Sequence, residues 1–358
     1  MNIAVIMAGG AGTRFWPKST REKPKQFLKL FGKKSLIQQT VDRLEGFIDK
    51  QNVMIITNND YVALVNEQLP DLEQKYIIGE PVARNTAPCI ASAAAMLYKD
   101  NPEAVMVVLP ADHQITDREN FLDVLQAASK TAINHNSLVT IGIEPNRPET
   151  GYGYIRRAAA SDIKLNGRDI YTVRNFTEKP ELARARDFLR SGDYLWNSGI
   201  FVWKVETIVN SFQQHLPEIY EQMEILAGSE KTDDDINRFY HNCPSISIDY
   251  GIMEKADKVH VIPGSFGWND VGSWKAVHEL ADKDENENAV GDSNVILQDA
   301  SKNLVDAGSS KTIALVGVEN LAIVETEDAI LVLNLDHAQG VKKVVDEIDR
   351  LAEQESVS

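Results

Sequence analysis

The chain has 358 residues, 43% of them hydrophobic and 25% charged, with a formal net charge of −16. This is ordinary globular composition, long enough for one large α/β domain and a smaller one, and it excludes a disordered chain. So acidic a balance also excludes nucleic acid and an anionic membrane surface as partners, since either requires an extended basic face, and leaves a small anionic ligand.

The first apolar run, Ile3-Ala4-Val5-Ile6, reads as a buried strand that empties into Met7-Ala8-Gly9-Gly10-Ala11-Gly12-Thr13-Arg14-Phe15-Trp16-Pro17. Glycines at 9, 10 and 12 let a ligand lie against bare N–H groups, which suits a polyanion. From Arg14 to Lys34 there are eight Lys or Arg against one acid, Glu22, a field opposite in sign to the whole chain and of the kind a multi-phosphate ligand requires. Two familiar glycine motifs do not fit. A dinucleotide fingerprint started at Gly10 meets Phe15 where its third glycine belongs. A Walker loop ending at Gly32-Lys33 would need glycine at Phe27 and Ser or Thr at Lys34. From the glycines alone, a tight strand-to-helix turn without a ligand is the alternative.

The run Gly9 to Pro17, followed by Ser19 and by Pro24-Lys25-Gln26-Phe27, resembles the signature of bacterial mannose-1-phosphate guanylyltransferases, a branch of the sugar nucleotidyltransferases. The Gly-Gly-x-Gly-Thr-Arg core is shared across that superfamily, and the Phe-Trp-Pro and Pro-Lys-Gln-Phe extensions narrow it to the guanylyl branch. The resemblance implies the reaction GTP + mannose 1-phosphate ⇌ GDP-mannose + pyrophosphate, by direct in-line attack of the sugar phosphate with Mg²⁺ as cofactor. No side-chain nucleophile is required, because a phosphate monoester is already ionised and needs positioning and charge neutralisation. A transferase for another hexose or heptose 1-phosphate, or a non-catalytic sugar-nucleotide sensor, is the alternative function.

Up to residue 143, short apolar runs alternate with helical periodicity. Strands are predicted over Ile3–Met7, Val53–Thr57, Tyr76–Gly79, Val105–Leu109 and Leu138–Ile143, and helices over Leu36–Phe47, Tyr61–Leu69, Ala87–Tyr98 and Phe121–His135. Repeated βαβ units of this kind predict a Rossmann-like, mostly parallel mixed sheet with ligands at the carboxyl ends of its strands. Residues 150–270 predict strands near Tyr171–Thr177 and Trp196–Trp203, with helices from Glu181, over Glu206–Leu226 and over Asp233–His241. The acidic, Asn-rich stretch 282–292 reads as a linker, giving a catalytic domain of 1–281. Five short apolar runs then precede a helix from about His337. Their spacing predicts a small all-β module over 293–358 without separating a sandwich from a β-helix, and the resemblance implies a short left-handed β-helix and a homodimer. Longer relatives continue into a phosphomannose-isomerase domain, so that activity is expected to be absent. Cys89 and Cys243 predict two buried thiols of a reduced compartment, and no secretory start or membrane-spanning run is seen, so the expected location is cytoplasmic.

The candidate residues sit at strand ends. Glu80-Pro81-x-x-Arg84-Asn85-Thr86-Ala87-Pro88 follows the third strand. Guanine offers two adjacent donors that one carboxylate accepts as a fork, so Glu80 is the candidate base reader; alternatively Glu80 is a strand-end acid paired with Arg84. Asp112, in Leu109-Pro110-Ala111-Asp112-His113, is placed to hold a divalent ion, or else caps the next helix. His113 is a neighbour, soft nitrogen being a poor Mg²⁺ ligand. The resemblance implies Asp270, in Gly267-Trp268-Asn269-Asp270, as a second metal ligand, against an ordinary helix cap. It further implies nucleotide binding by Ala8, Gly9, Gly10, Gly12, Thr13, Arg14, Glu80, Asn85, Thr86 and Ala87, and sugar-phosphate binding by Gly151, Tyr152, Glu178, Lys179 and Asn197. Arg14, Lys25 and Asp112 are the implied catalytic residues, with Lys179 on the attacking phosphate and Glu178 on sugar hydroxyls.

Overall fold

The structure, a computed structural model, describes residues 1–10, 12–161, 163–165, 167–291, 294–308 and 311–357, with the backbone alone of 352, 353 and 355–357. Ala11 of the glycine run, the junction at 292–293 between the predicted linker and β module, and Ser358 lie outside the described residues. The chain forms two compact units, each assembled from two segments: Met1–Gly9 with Thr40–Trp268, and Gly10–Gln39 with Asn269–Ser358. Packing therefore divides the chain differently from the sequence partition at 281 and 293.

The first unit is built on β1 (Asn2–Ala8), β2 (Val53–Asn58), β3 (Ile77–Glu80), β4 (Val105–Pro110), a two-residue β5 (Gln114–Ile115), β6 (Leu138–Ile143), β7 (Tyr154–Arg157), β8 (Ile163–Leu165), β9 (Arg168–Thr177), β10 (Tyr194–Lys204) and β11 (Val259–Gly264). Ten of these make one sheet in the order β3-β2-β1-β4-β10-β6-β11-β9-β7, with β8 on β9. β3, β2, β1 and β4 run parallel, as does β6 with β11, whereas β10, β7 and β9 pair antiparallel with their neighbours. The sheet is therefore mixed, with a parallel block of β3, β2, β1 and β4 and a second parallel pair, β6 with β11. β1, β4 and β6 are almost wholly buried, which is why they read as unbroken apolar runs.

Between the strands lie α1 (Leu36–Asp42), α2 (Val62–Gln68), α3 (Thr86–Tyr98), α4 (Arg118–His135), α5 (Leu182–Ser191), α6 (Val205–His215), α7 (Pro217–Gly228) and α8 (Asp233–Asn242). One core joins Ile3, Val5, Met106 and Val108 of the sheet to α3, α6, α7 and α8; the alanines at 91 and 93–95 of α3 allow close approach. α4 packs on β4, β6, β10 and β11 and contributes nothing to that core. Two predicted helices change. α1 stops at Asp42, ahead of a turn through Gly46, where φ is +82°. The stretch 206–226 is two helices because Pro217, which has no N–H to donate, occupies the first turn of α7. β7, β8 and β11 were absent from the sequence reading, as was a π-helical turn at Asp249–Met253.

The second unit contains the two-turn α9 (Trp274–Leu280), the small strands β13 (Val295–Gln298), β14 (Leu304–Ala307), β15 (Ile313–Val316), β16 (Leu321–Glu325) and β17 (Ile330–Asn334), and α10 (Val341–Val357) after a 3-10 turn; the two-residue β12 (Trp268–Asn269) stands at its start. β17 closes antiparallel on β16, whereas β13 pairs parallel with β15 and β14 parallel with β16, each with the next strand but one. That is the winding of a β-helix, whereas consecutive strands of a sandwich hairpin would pair antiparallel. Phe15 and Leu28 of the glycine-loop segment share a core with Val271, Trp274 and Val277, and with Leu304, Val324 and Leu331 of the β module. This is the physical reason the segment belongs to this unit.

Candidate active site

In the first unit, the carboxyl ends of β1 and β3 meet at Gly9 and Glu80. A Cβ on Gly9 would lie 2.8 Å from Glu80 Oε2, so only glycine lets the carboxyl sit against the backbone there. The Thr57 hydroxyl donates to the Ala8 carbonyl at 2.9 Å and fixes the end of β1. Burial pushes the Glu80 carboxyl up to about 7, against a hydrogen bond from Tyr240 that favours the ionised form. Arg84 is not its partner: the guanidinium donates to the carbonyls of Tyr240 and His241, at 3.1 and 3.2 Å. The rest of that motif is engaged in building the N-terminus of α3. Asn85, at φ +68°, caps it by accepting from Thr86 N at 2.8 Å, Thr86 Oγ1 accepts from Ile248 N at 2.9 Å, and Ala87 N donates to Ile246 O at 3.0 Å.

A second cluster forms where β9, β10 and the π-helical turn converge. Asn197 donates to Asp249 Oδ1 at 2.9 Å, while its Oδ1 accepts from Gly199 N at 3.2 Å and from Thr140 Oγ1 at 3.3 Å. Glu178 is nearly buried, and Lys179 Nζ lies 3.1 Å from its Oε1. The two neighbours thus form an i, i+1 ion pair, with Lys179 in a left-handed conformation at φ +44° and its ammonium largely exposed. Asp249 is pushed up to about 7, first by burial and then by the negative charge of Glu178. Asp249 is the site residue that sequence reasoning missed. Its signal was an acid in Ser247-Ile248-Asp249-Tyr250-Gly251, ahead of an apolar stretch.

An aromatic ladder leads from this cluster to Asp112. Tyr152 packs edge-on against Trp196 and Trp268, with centroids 5.2 and 5.3 Å apart, and Trp268 meets His113 at 5.4 Å. Gly151 N donates to Glu149 Oε1 at 3.0 Å, which holds the loop before Tyr152. Trp268 Nε1 donates to His113 Nδ1 at 3.1 Å, so the ring carries its proton on Nε2, 3.9 Å from Asp112 Oδ1, and offers no lone pair to a cation. Asp112 does not cap α4, whose N-cap is Asp117.

In the second unit, Gly12 has φ +59°, and a Cβ there would lie 2.7 Å from the backbone N of Lys25. Lys25 is buried, and its Nζ donates to the Asp270 carbonyl at 2.5 Å, 5.8 Å from the Phe15 ring centroid. Lys18 pairs with Asp306 at 2.5 Å and Arg21 with Asp349 at 2.9 Å. Part of the local positive field therefore anchors the segment, while Arg14 is exposed at the exit of the loop beside Thr13. Gly10 has nothing within 4 Å of the place a Cβ would take, so the structure gives no steric reason for glycine there. Asp270 does not cap α9, whose N-cap is Ser273. Among the described residues no three His, Cys, Asp or Glu are grouped to hold a metal by themselves. Asp112 and Asp270 are hard oxygen donors suited to Mg²⁺, which takes one or two carboxylates and completes its shell with phosphate and water.

Residues 3–287 match the nucleotidyl transferase family. The chain belongs to that family. Residues 293–348 of this nucleotidyl transferase match a second model, the MannoseP isomerase/GMP-like beta-helix domain. It is 42% identical to the mannose-1-phosphate guanylyltransferase RfbM of Salmonella typhimurium, over 97% of this chain and 72% of that protein. It is 41% identical to a mannose-1-phosphate guanylyltransferase of Escherichia coli, over 97% and 74%. A crystal structure from Thermus thermophilus, described as a mannose-1-phosphate geranyltransferase, superposes with a TM-score of 0.87 at 34% identity, covering 97% of this chain and 99% of the other. No helix among the described residues of this transferase is long and apolar enough to cross a membrane.

Proposed function

We propose that the protein transfers GMP from GTP to mannose 1-phosphate, giving GDP-mannose and pyrophosphate. The observation that carries this reading is the Glu80 carboxyl, buried against Gly9 at the carboxyl ends of β1 and β3, where its ionised form accepts both donors of a guanine edge. The guanylyltransferase names of relatives about 40% identical over nearly the whole chain support the same base and the same sugar.

In the acceptor cluster, Lys179 meets the sugar phosphate, and Glu178 and Asp249 accept from sugar hydroxyls, with Asn197 holding Asp249 in place. Arg14 neutralises the polyphosphate. Lys25 fixes the Asp270 segment through that residue's carbonyl and places a positive charge behind the glycine loop. Mg²⁺, when bound, neutralises phosphate charge, and Asp112 and Asp270 are its candidate ligands. The enzyme is read as a cytoplasmic homodimer, with the β module over 293–358 as its dimerisation element.

Exchange of labelled pyrophosphate into GTP, run from GDP-sugars and repeated across a panel of sugar 1-phosphates and nucleotides, tests the reading. GTP with mannose 1-phosphate should give the highest kcat/KM, and a better heptose phosphate or a different base would overturn it. Asp112→Asn and Asp270→Asn should each weaken Mg²⁺ titration of turnover, the double variant costing little beyond either single one. Additive losses would mean that the two do not act on one ion.

A further inference from the structure

Asp112 stands between two carbonyls that are held by residues at the end of α1. Thr40 Oγ1 donates to the Ala111 carbonyl at 3.2 Å, and an Arg43 Nη donates to the His113 carbonyl at 3.1 Å. Ala111 N donates to the Met7 carbonyl of β1 at 2.9 Å, and Trp268 holds the His113 ring. The backbone is thus clamped on both sides of Asp112, whose side chain keeps 35% of its surface exposed. A neutral donor is enough for such a clamp, as Thr40 shows.

Arg43 brings a charge as well as a donor. Its side chain is buried, and among the described residues no carboxylate lies within ion-pair distance of it. Burial pulls the guanidinium down to about 10, with its chain neighbour Asp42 opposing, so it stays charged at neutral pH. Arg118, at the start of α4, adds a second cation on this side: its Nε donates to the Arg43 carbonyl at 3.2 Å, and its guanidinium donates to the Glu45 carbonyl too. A buried charge without a carboxylate partner is costly, and one carbonyl acceptor does not offset that cost. Such a violation of the packing rules is retained where function uses it. A fixed positive charge behind the loop opposes a bare divalent cation and favours a phosphate anion.

We infer that Arg43 makes metal binding at Asp112 conditional on the nucleotide: its buried charge keeps the loop from taking a divalent ion alone and favours the same ion when a polyphosphate carries it. The inference rests on the reading of Asp112 as a metal ligand. Arg43 is a positioning residue, acting through the Asp112 loop, and it shapes the loop's field as well as its geometry.

The test measures two ligands on the full chain. Mn²⁺ binding without nucleotide is read from loss of the free ion's paramagnetic resonance signal, and GTP binding without metal from calorimetry in EDTA. Arg43→Gln keeps a donor and drops the charge; Arg43→Met fills the space with neither. Both should bind Mn²⁺ several-fold more tightly than the parent and metal-free GTP several-fold more weakly. Arg43→Lys, which keeps charge and donor, should match the parent in both. Changes of opposite sign for metal and nucleotide support the inference, since a residue that only holds the loop in shape would weaken both ligands when lost. Mn²⁺ affinity that is unchanged or weaker overturns it, as does GTP affinity that does not fall. If neither neutral variant folds while Arg43→Lys does, the charge is structural and the inference is likewise overturned. Asp112→Asn separates the two levels. Added to Arg43→Gln, it should abolish the gained Mn²⁺ affinity; a gain that survives means that the ion is held elsewhere, and the reading of Asp112 fails together with the inference. If Asp112→Asn abolishes Mn²⁺ binding in the parent while Arg43→Gln equals the parent, only the role of Arg43 is wrong.

Discussion

Glu80 and Asp249 are carboxyls of the same unit pushed up to about 7 by burial, and each costs the empty protein stability when ionised. The folded value lies above the unfolded one, so the stability of the neutral form is fully present below 4.5 for Glu80 and below 3.8 for Asp249, and is lost as pH rises through about 7. Glu80→Gln should therefore leave the melting temperature nearly unchanged at pH 5 and raise it at pH 8, where the variant gains on the order of 3 kcal/mol of stability at most. Asp249→Asn should behave alike, and an equal effect at both pH values would rule the burial explanation out. Lys179, paired with Glu178 at 3.1 Å, belongs to the acceptor cluster. Lys179→Ala should raise the KM for mannose 1-phosphate roughly 10- to 100-fold, the loss of one charge-assisted hydrogen bond. The KM for GTP should stay within about twofold; a matching rise there would move Lys179 to the nucleotide. At this scale the sequence placed Glu80, Asp112 and Glu178 at or just after strand ends, and the structure has them there, after or at the ends of β3, β4 and β9. Asp249 and Tyr240 were not, because their partners lie 52 residues away at Asn197 and 148 residues away at Ser92, and nothing local marks such a contact.

Gly12 shows how an element imposes a residue. The loop turns through φ +59° and brings the Lys25 backbone to 2.7 Å from where a Cβ would stand, so neither rotation nor side-chain movement can accommodate alanine. Gly12→Ala should lower stability by roughly 1–3 kcal/mol and blunt turnover, whereas Gly10→Ala should leave the melting temperature within about a degree. Thermal melts of the two side by side check this, and equal losses would mean that the close approach to Lys25 is not what constrains the loop. The sequence showed that this stretch is glycine-rich, and it did not show which glycine is sterically required, because Lys25 is 13 positions further on. For the same reason the eight cations looked like one ligand field. Lys18 and Arg21 instead pair with Asp306 and Asp349, acids whose positions no local pattern reveals.

For the whole molecule, the sequence partition puts residues 1–281 in one catalytic domain, whereas packing groups the segment Gly10–Gln39 with Asn269–Ser358. The segment Gly10–Gln39 keeps its core in company with Leu304, Val324, Leu331 and Val341. A fragment of residues 1–281 should retain hydrogen-exchange protection in β1, β4 and β6 and lose it over residues 13–31. Full protection of that loop in the fragment would contradict the interleaving. The strands β1 to β4 and β6 were legible because buried parallel strands are continuous apolar runs, whereas their order in the sheet and the membership of residues 10–39 were not, since hydrophobic periodicity reports that a face is buried and not against what. The interleaving also sets a schedule for biosynthesis. Phe15 and Leu28 leave the ribosome some 275 residues before Leu304, and at about 5–20 residues per second the loop waits on the order of tens of seconds for its core. Until then its exposed apolar side chains are surface for a chaperone, and chains stalled before residue 341 should show this stretch open to protease while β1 to β4 resist it.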